Sequence, residues 1–397
     1  MSEVASAPVV SEIDPFSHEY ILNPYPFHQR MRDAGPIIWL EKWGVFAVTR
    51  YQQVHSVLSD WRTFCSGGGV GLTDVRRGGS WRTPSLLLET DPPAHTANRA
   101  IVGRVLSPAA LRALRATFER EAENLVDGLI GKTIDAATEL AEAFPMKVFG
   151  DAVGVPAEGR DHLIAYGNIV FNGMGPRNEL FERATANGDR VTEWVTAACQ
   201  RSALSQDGLG AQVYESVDSG VIDERHAALL VRSFLSAGVD TTTYAIGNAL
   251  FCFASHPRQW DRVRKDPSLI KAAFEEVMRF ESPFQTFFRT AAYDTEVAGV
   301  RIPKDAKILI SLGAANRDPE KWSYPDVFEV GRNTQGHVGF GAGIHGCVGQ
   351  MIARLEVETL FSALAKRVRR IELVGEPVRQ LHNTLRGLES LPLRLVD

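Results

Sequence analysis

The stretch Phe340-Gly341-Ala342-Gly343-Ile344-His345-Gly346-Cys347-Val348-Gly349 limits the folds open to this chain more than any other. Behind it, Ala353, Val357, Leu360, Leu364 and Val368 recur at three- and four-residue intervals, which predicts a helix. Cys347 therefore stands where a helix begins. The open N–H groups and positive dipole end of a helix favour a thiolate there. The glycines let the backbone turn tightly around the sulfur and admit a flat partner at close range.

The other cysteines are Cys65, Cys199 and Cys252, and no two of the four form a CxxC pair. Neither structural zinc nor a disulfide framework is expected. A lone thiolate wrapped in glycine at a helix start suits an axial ligand of haem iron. A single such cysteine is more often a buried structural residue. Here six positions fit one pattern, Phe340, Gly341, Gly343, His345, Cys347 and Gly349. The stretch resembles the cysteine-ligand loop of the cytochrome P-450 haem-thiolate monooxygenases.

A second motif, Ala237-Gly238-Val239-Asp240-Thr241-Thr242-Thr243, lies inside Asp223–Ser255, the longest helical candidate. A continuous helix of that length would span about 50 Å. Glycine and threonine are weak helix formers, and threonine hydroxyls bond back to the preceding turn and bend a helix. A buried acid there is costly unless it has a compensating role. On these residues alone, a kink with a hydrated acid reads equally well. Beside the cysteine loop, the segment resembles the family's oxygen-activation segment. That resemblance implies that Asp240 and Thr241 relay protons to dioxygen and that Ala237 and Gly238 lie over the cofactor, Gly238 leaving room for O2.

Glu276-x-x-Arg279 puts two opposite charges on one helix face, and most such pairs are solvated and of little energetic worth. In the family, a pair so placed before the cysteine is structural and is completed by a downstream arginine. Arg332 is the choice here and Arg317 the rival; Val327 stands where many relatives carry Arg. The resemblance also assigns His95, Arg99, Arg289 and His345 to the haem propionates, which need cations or hydrogen bonds when buried. His95 and Arg99 stand four apart and share one helix face.

The resemblance covers nearly the whole chain and implies a mainly α fold with small β-sheets (α+β). One large helical domain over residues 1–397 would carry a long central helix above haem b. Within the family, the chain looks most like the bacterial enzymes that oxidise para-substituted benzoates, such as 4-methoxybenzoate. Ser85 and Ser233 would then donate to the carboxylate, with Arg82 and Arg232 offsetting its charge. Leu88, Phe171, Met174, Phe284, Phe287 and Ala237 would form an apolar slot. Met174 and Phe284 stand where Phe and Val are expected, which leaves the para substituent open. Electrons would come from NAD(P)H through a separate reductase and a 2Fe–2S ferredoxin, with Arg354 near its docking face. The alternatives are an enzyme acting on a terpene, fatty acid or polyketide, and a haem-based sensor.

A net charge of −5 gives no reason to expect nucleic acid or an anionic membrane as partner. No basic, apolar leader opens the chain and no apolar run approaches membrane-spanning length, so a soluble, cytoplasmic protein is expected. Residues 1–20 read as extended and poorly ordered. Pro36–Arg50 reads as a hairpin, and 60–91, with Gly67–Gly69 and Arg76–Gly79, as a long irregular loop.

Overall fold

The computed structural model describes residues 7–78 and 82–397. Gly79, at the end of the glycine–arginine run, lies outside them.

Helices form most of the molecule. The Pro108–Leu129 helix starts where Ser107 accepts from the Ala110 N–H and Pro108 occupies the first turn. Its buried stripe, Leu111, Phe118, Ala122 and Val126, packs mainly on the Gln350–Arg367 helix that follows the cysteine loop. The Asp240–Ser255 helix runs through the core and is buried almost all round. On it lie the Ile270–Phe280 helix and the segment Ala137–Glu142, which is π-helical.

A six-stranded mixed sheet flanks the helices, in the order Val9–Ser11, Ile37–Leu40, Val45–Val48, Lys307–Ser311, Thr286–Ala291, Phe64–Cys65. Ile37–Leu40 and Val45–Val48 form the expected hairpin, turned by Gly44 in the left-handed region. Alternation along Thr286–Ala291 aims Phe287 and Arg289 at an interior cavity and Phe288 into a separate core with Leu309 and Ile38. A second sheet pairs Arg370–Leu373 with Pro392–Val396 and adds Thr133–Asp135, a strand the sequence pattern did not signal.

Two expectations need correction. Residues 9–22 are ordered: Val9–Ser11 pairs in parallel with Ile38–Leu40, and Ser17 caps the His18–Leu22 helix by accepting from Tyr20. The long central helix is two helices, Glu224–Ala237 and Asp240–Ser255, interrupted at Gly238-Val239. The carbonyls of Ala237 and Gly238 accept from the Thr241 and Thr242 hydroxyls, at 2.8 and 3.2 Å. Side chains thus compete with the backbone ladder where helix propensity is weakest.

Candidate active site

The cavity lies between the break at Gly238 and the cysteine loop, and the volume reachable by the centre of a water molecule is ≈ 200 Å³. Its wall includes Ala237, Gly238, Thr241, Arg99, Arg289, Phe340, Gly341, His345, Cys347 and Gly349. Elements distant in sequence bring these together.

The loop around Cys347 is held from several sides. Its N–H donates to the Phe340 carbonyl at 2.8 Å, and Gly341 N donates to Val338 O at 2.8 Å. Gly341 and Gly343 have φ of +71° and +68°, and a Cβ at Gly343 would sit 2.6 Å from Leu58 O. A side chain at 343 would push the loop off its neighbour. Cys347 precedes the Gln350–Arg367 helix. Burial raises its thiol pKa, while the N–H groups of Gly349 and Gln350, with Arg99 and Arg354, draw it down. The helix start thus favours the thiolate as expected, yet burial outweighs it in the protein alone. A metal cation would deprotonate such a thiol outright.

The donor set beside the loop suits an anionic group. The rings of His95 and His345 lie 4.2 Å apart between centroids, and both Nε2 atoms are buried without a partner. Burial lowers the His95 pKa to about 4 and lowers that of His345. Arg289 is buried and donates to the Phe288 carbonyl; Arg99 donates to the Gly346 carbonyl at 2.6 Å. Among the described residues neither arginine is paired with a carboxylate within 4.0 Å, and burial lowers the pKa of both. A buried arginine and a half-buried one, without a close ion pair and beside imidazole nitrogens that lack a hydrogen-bond partner, are costly unless an anion joins them. Haem, with two propionates and an iron for Cys347, fits this set. Asp91, which the sequence reading missed, organises it: its carboxylate accepts from Ser66 and Gly67 N–H, with His345 Nε2 at 3.9 Å.

The oxygen-activation pair is divided. The Thr241 hydroxyl lines the cavity and donates to Ala237 O. Asp240 does not line it; the side chain turns toward the His162–Asn172 helix, where a Cβ on Gly167 would lie 2.8 Å from Oδ2. That oxygen is buried without a partner, and burial, then Glu142, raises the carboxyl pKa to about 8. Gly238 has a steric reason of its own: a Cβ there would meet the Phe149 ring at 2.1 Å.

Of the proposed substrate contacts, Leu88, Phe171, Ser233, Phe284 and Phe287 line the cavity; Arg82, Ser85, Met174 and Arg232 do not. Arg82 is paired with Glu89 at 2.9 Å, and Arg232 donates to the carbonyls of Thr83 and Pro84. The Ser85 hydroxyl accepts from Leu87 and Leu88 N–H, and Met174 O accepts from Leu72 N. Thr242, from the motif around Gly238, also lines the wall, as do Val70, Leu87 and Phe149, which no motif marks.

Glu276 and Arg279 are buried rather than solvated, and Arg332 Nε donates to Glu276 Oε1 at 3.1 Å. Arg317 pairs instead with Asp326 at 3.1 Å and stands 4.0 Å from Glu281.

The family model described as "Cytochrome P450" matches residues 199–373. The chain is 50% identical to "Cytochrome p450 CYP199A2" of Rhodopseudomonas palustris, over 96% of this chain and 93% of that one. It is 33% identical to "Cytochrome P450 107B1" of Saccharopolyspora erythraea, over 92% and 91%. Among solved structures, cytochrome P450 CYP109Q5 from Chondromyces apiculatus superposes with a TM-score of 0.82 at 32% identity, over 97% of this chain and 98% of that one. Cytochrome P450 CREJ in complex with (4-ethylphenyl) dihydrogen phosphate gives 0.87 at 26% identity, over 96% and 98%.

Proposed function

Because the chain belongs to the cytochrome P450 family, it is a haem-thiolate monooxygenase, and we propose that its substrate is a small para-substituted benzoate of the 4-methoxybenzoate kind. The reaction would be hydroxylation or O-demethylation, with electrons from NAD(P)H through a reductase and a 2Fe–2S ferredoxin. No helix among the described residues is long and apolar enough to cross a membrane.

One observation carries the substrate class. Phe284 and Phe287 stack with centroids 3.9 Å apart and planes 4° apart, and Phe171 meets Phe284 edge-on at 5.3 Å. A wall of this kind favours a flat aromatic ring. Ser233 and Ala237 stand one turn apart on the Glu224–Ala237 helix and line the cavity, as does Thr241 beyond the break, so Ser233 offers the wall a hydroxyl separate from that of Thr241. Ser233 donates to Leu229 O at 3.2 Å and would turn to reach a substrate carboxylate.

The chain's own residues divide the work. Cys347 would hold the iron, and His95, Arg99, Arg289 and His345 the propionates. Haem so held would supply the binding and reductive activation of O2. The phenylalanines and Leu87 and Leu88 exclude water and orient the ring. Thr241 holds a proton at the cavity wall through a hydroxyl fixed on Ala237 O, and Asp240 behind it stores the next one.

A second reading, an uncharged aromatic or alicyclic substrate, is favoured by the pairing of Arg82 with Glu89, away from the cavity wall. Titrating the ferric protein with 4-substituted benzoic acids and their amides, and following the Soret band, separates the two. Shifts with the acids and not the amides support the benzoate; the reverse order replaces it with the neutral substrate.

A further inference from the structure

Phe171 and Phe284 meet edge-on in the cavity wall, yet they belong to elements far apart in sequence. Phe171 stands in the last turn of the His162–Asn172 helix, and Phe284 just ahead of the strand Thr286–Ala291. Edge-on rings attract one another over centroid distances of about 4.5–7 Å, so the contact alone sets their gap only loosely. A third segment, the buried loop 382–386, ties the two backbones together.

On one side the loop is zipped to the backbone around Phe284. Gln285 N donates to the Thr384 carbonyl and Arg386 N to the Pro283 carbonyl, each at 2.8 Å, and Phe284 pairs antiparallel with Leu385. On the other side it closes the end of the Phe171 helix, whose last carbonyls have no partner within the helix. The Thr384 hydroxyl donates to Phe171 O at 3.0 Å, and Asn383 Nδ2 donates to Asn172 O at 3.0 Å. The Asn383 N–H donates to Asn172 Oδ1, and the Asn383 amide pairs reciprocally with that of Asn178. A Cβ on Gly175 would stand 2.6 Å from Asn383 Cβ, so the chain beyond the helix passes directly against this residue. His382 Nδ1 accepts from the N–H groups of Thr384 and Leu385, which fixes the shape of the loop itself. Thr384 thus bonds to both walls, through its hydroxyl to Phe171 and through its carbonyl to the residue after Phe284, and it does not line the cavity.

We propose that Thr384 is a specificity-determining positioning residue: its hydroxyl, anchored on the Phe171 carbonyl, holds the Phe171 and Phe284 rings at the separation that admits a flat aromatic ligand. The other partners of that carbonyl are the local N–H groups of Gly173 and Met174, the latter at 3.3 Å. Without the hydroxyl, the buried carbonyl loses its one tie to the Phe284 side, and the end of the helix is free to shift. A gap wider by about 0.5–1 Å forfeits a quarter to a half of the van der Waals attraction at each ring contact. The inference rests on the reading of this cavity as a slot for an aromatic ring, and its test needs neither the natural substrate nor turnover.

The measurement is Soret titration of the ferric holoenzyme with two probes, imidazole and 4-phenylimidazole, which differ by one flat ring. Thr384→Val and Thr384→Ala both remove the hydroxyl, the first with little change of shape, and Thr384→Ser keeps it. Soret and far-ultraviolet spectra that match the parent protein establish which variants are folded and loaded. In Thr384→Val and Thr384→Ala the affinity for 4-phenylimidazole should fall about fivefold or more, while that for imidazole stays within about twofold of the parent. Thr384→Ser should restore 4-phenylimidazole binding. Equal losses for both probes, which a merely structural role would give, overturn the proposal, as does an unchanged ratio or a failure of Thr384→Ser to restore it. A parent protein that responds to no benzoic acid defeats the benzoate reading but leaves this ratio intact, and one that binds 4-phenylimidazole no better than imidazole defeats the aromatic slot itself, so the failures are distinguishable.

Discussion

Arg279 grips Glu276 with two parallel N–H···O bonds, 2.7 and 2.8 Å long, and neither side chain is exposed at all. The spacing that reads as a weak surface pair is a sealed one. Arg279 also donates to the carbonyls of Asn316 and Pro325, and Glu276 accepts from Glu329 N and Arg332. Asn316 in turn accepts from Val338 N, at the entry to the cysteine loop. The pair thereby fixes the backbone that presents Cys347.

Removing either partner leaves a buried charge unmatched. Arg279→Ala or Glu276→Ala should lower stability by about 3–5 kcal/mol. Both should also release haem more readily, read in denaturant unfolding and in transfer of haem to apomyoglobin. Arg332→Ala, which removes one bond to Glu276 and three to the carbonyls of Ser323, Tyr324 and Val327 on the more exposed side, should cost less because no buried charge loses its main partner.

Thr241→Ala removes a cavity hydroxyl and leaves the helix break on Gly238 and Thr242. Substrate should still shift the Soret band with little change in affinity. Reduced oxygen should leave as peroxide, with product per NAD(P)H falling several-fold. Product yield equal to the parent's would remove Thr241 from proton delivery.

Asp240 has an ordinary carboxyl pKa of 3.8 when unfolded and about 8 when folded, raised first by burial and then by Glu142. Between those values the unfolded chain releases a proton the folded one keeps. This group therefore favours folding fully only below about pH 4, and its contribution is lost as pH rises toward about 8, by up to about 1.4 kcal/mol per pH unit. Asp240→Asn should flatten that slope, gaining over the parent at pH 7.5 relative to pH 5 in thermal unfolding. Parallel stability curves would contradict it.

Glu356 is fully buried on the Gln350–Arg367 helix, and neither carboxyl oxygen has a hydrogen-bond partner. Burial pushes its pKa well above the usual carboxylate range, so the side chain is held neutral. The same sign applies: stability from this group falls as pH rises above the ordinary glutamate range. Glu356→Gln should be nearly neutral at pH 5 and more stable than the parent at pH 8, by melting temperature. A large loss at both values would reveal an ionised Glu356.

Phe284 sets the width of the aromatic wall by stacking on Phe287. Phe284→Ala should cost about 3 kcal/mol or more of stability. It should also move binding preference toward larger para substituents, in a titration series from methyl to butoxy. An unchanged order of affinities would place the substituent elsewhere in the cavity.

Much of this molecule is written locally. Glycines at positive φ, a cysteine ahead of an apolar-periodic helix, the hairpin around Gly44 and the alternation of Thr286–Ala291 rest on backbone sterics and short-range periodicity, which sequence displays. The short strand Thr133–Asp135 is different: it exists because Pro392–Val396 offers it an edge, a partner more than 250 residues away. Nothing in three residues could announce that.

By itself the sequence determined the fold class, the cysteine loop and the break-prone Gly-Val-Asp-Thr-Thr-Thr segment, because each is a local contest between backbone and side chain. Tertiary structure alone decided that Glu276 and Arg279 are sealed, that Arg82 pairs with Glu89, and that Asp240 faces Gly167 while Thr241 faces the cavity. Burial and partnership depend on what other elements pack across a side chain, and adjacent residues on a helix point about 100° apart. The same two letters, aspartate and threonine, thus came to lie on opposite sides of one wall.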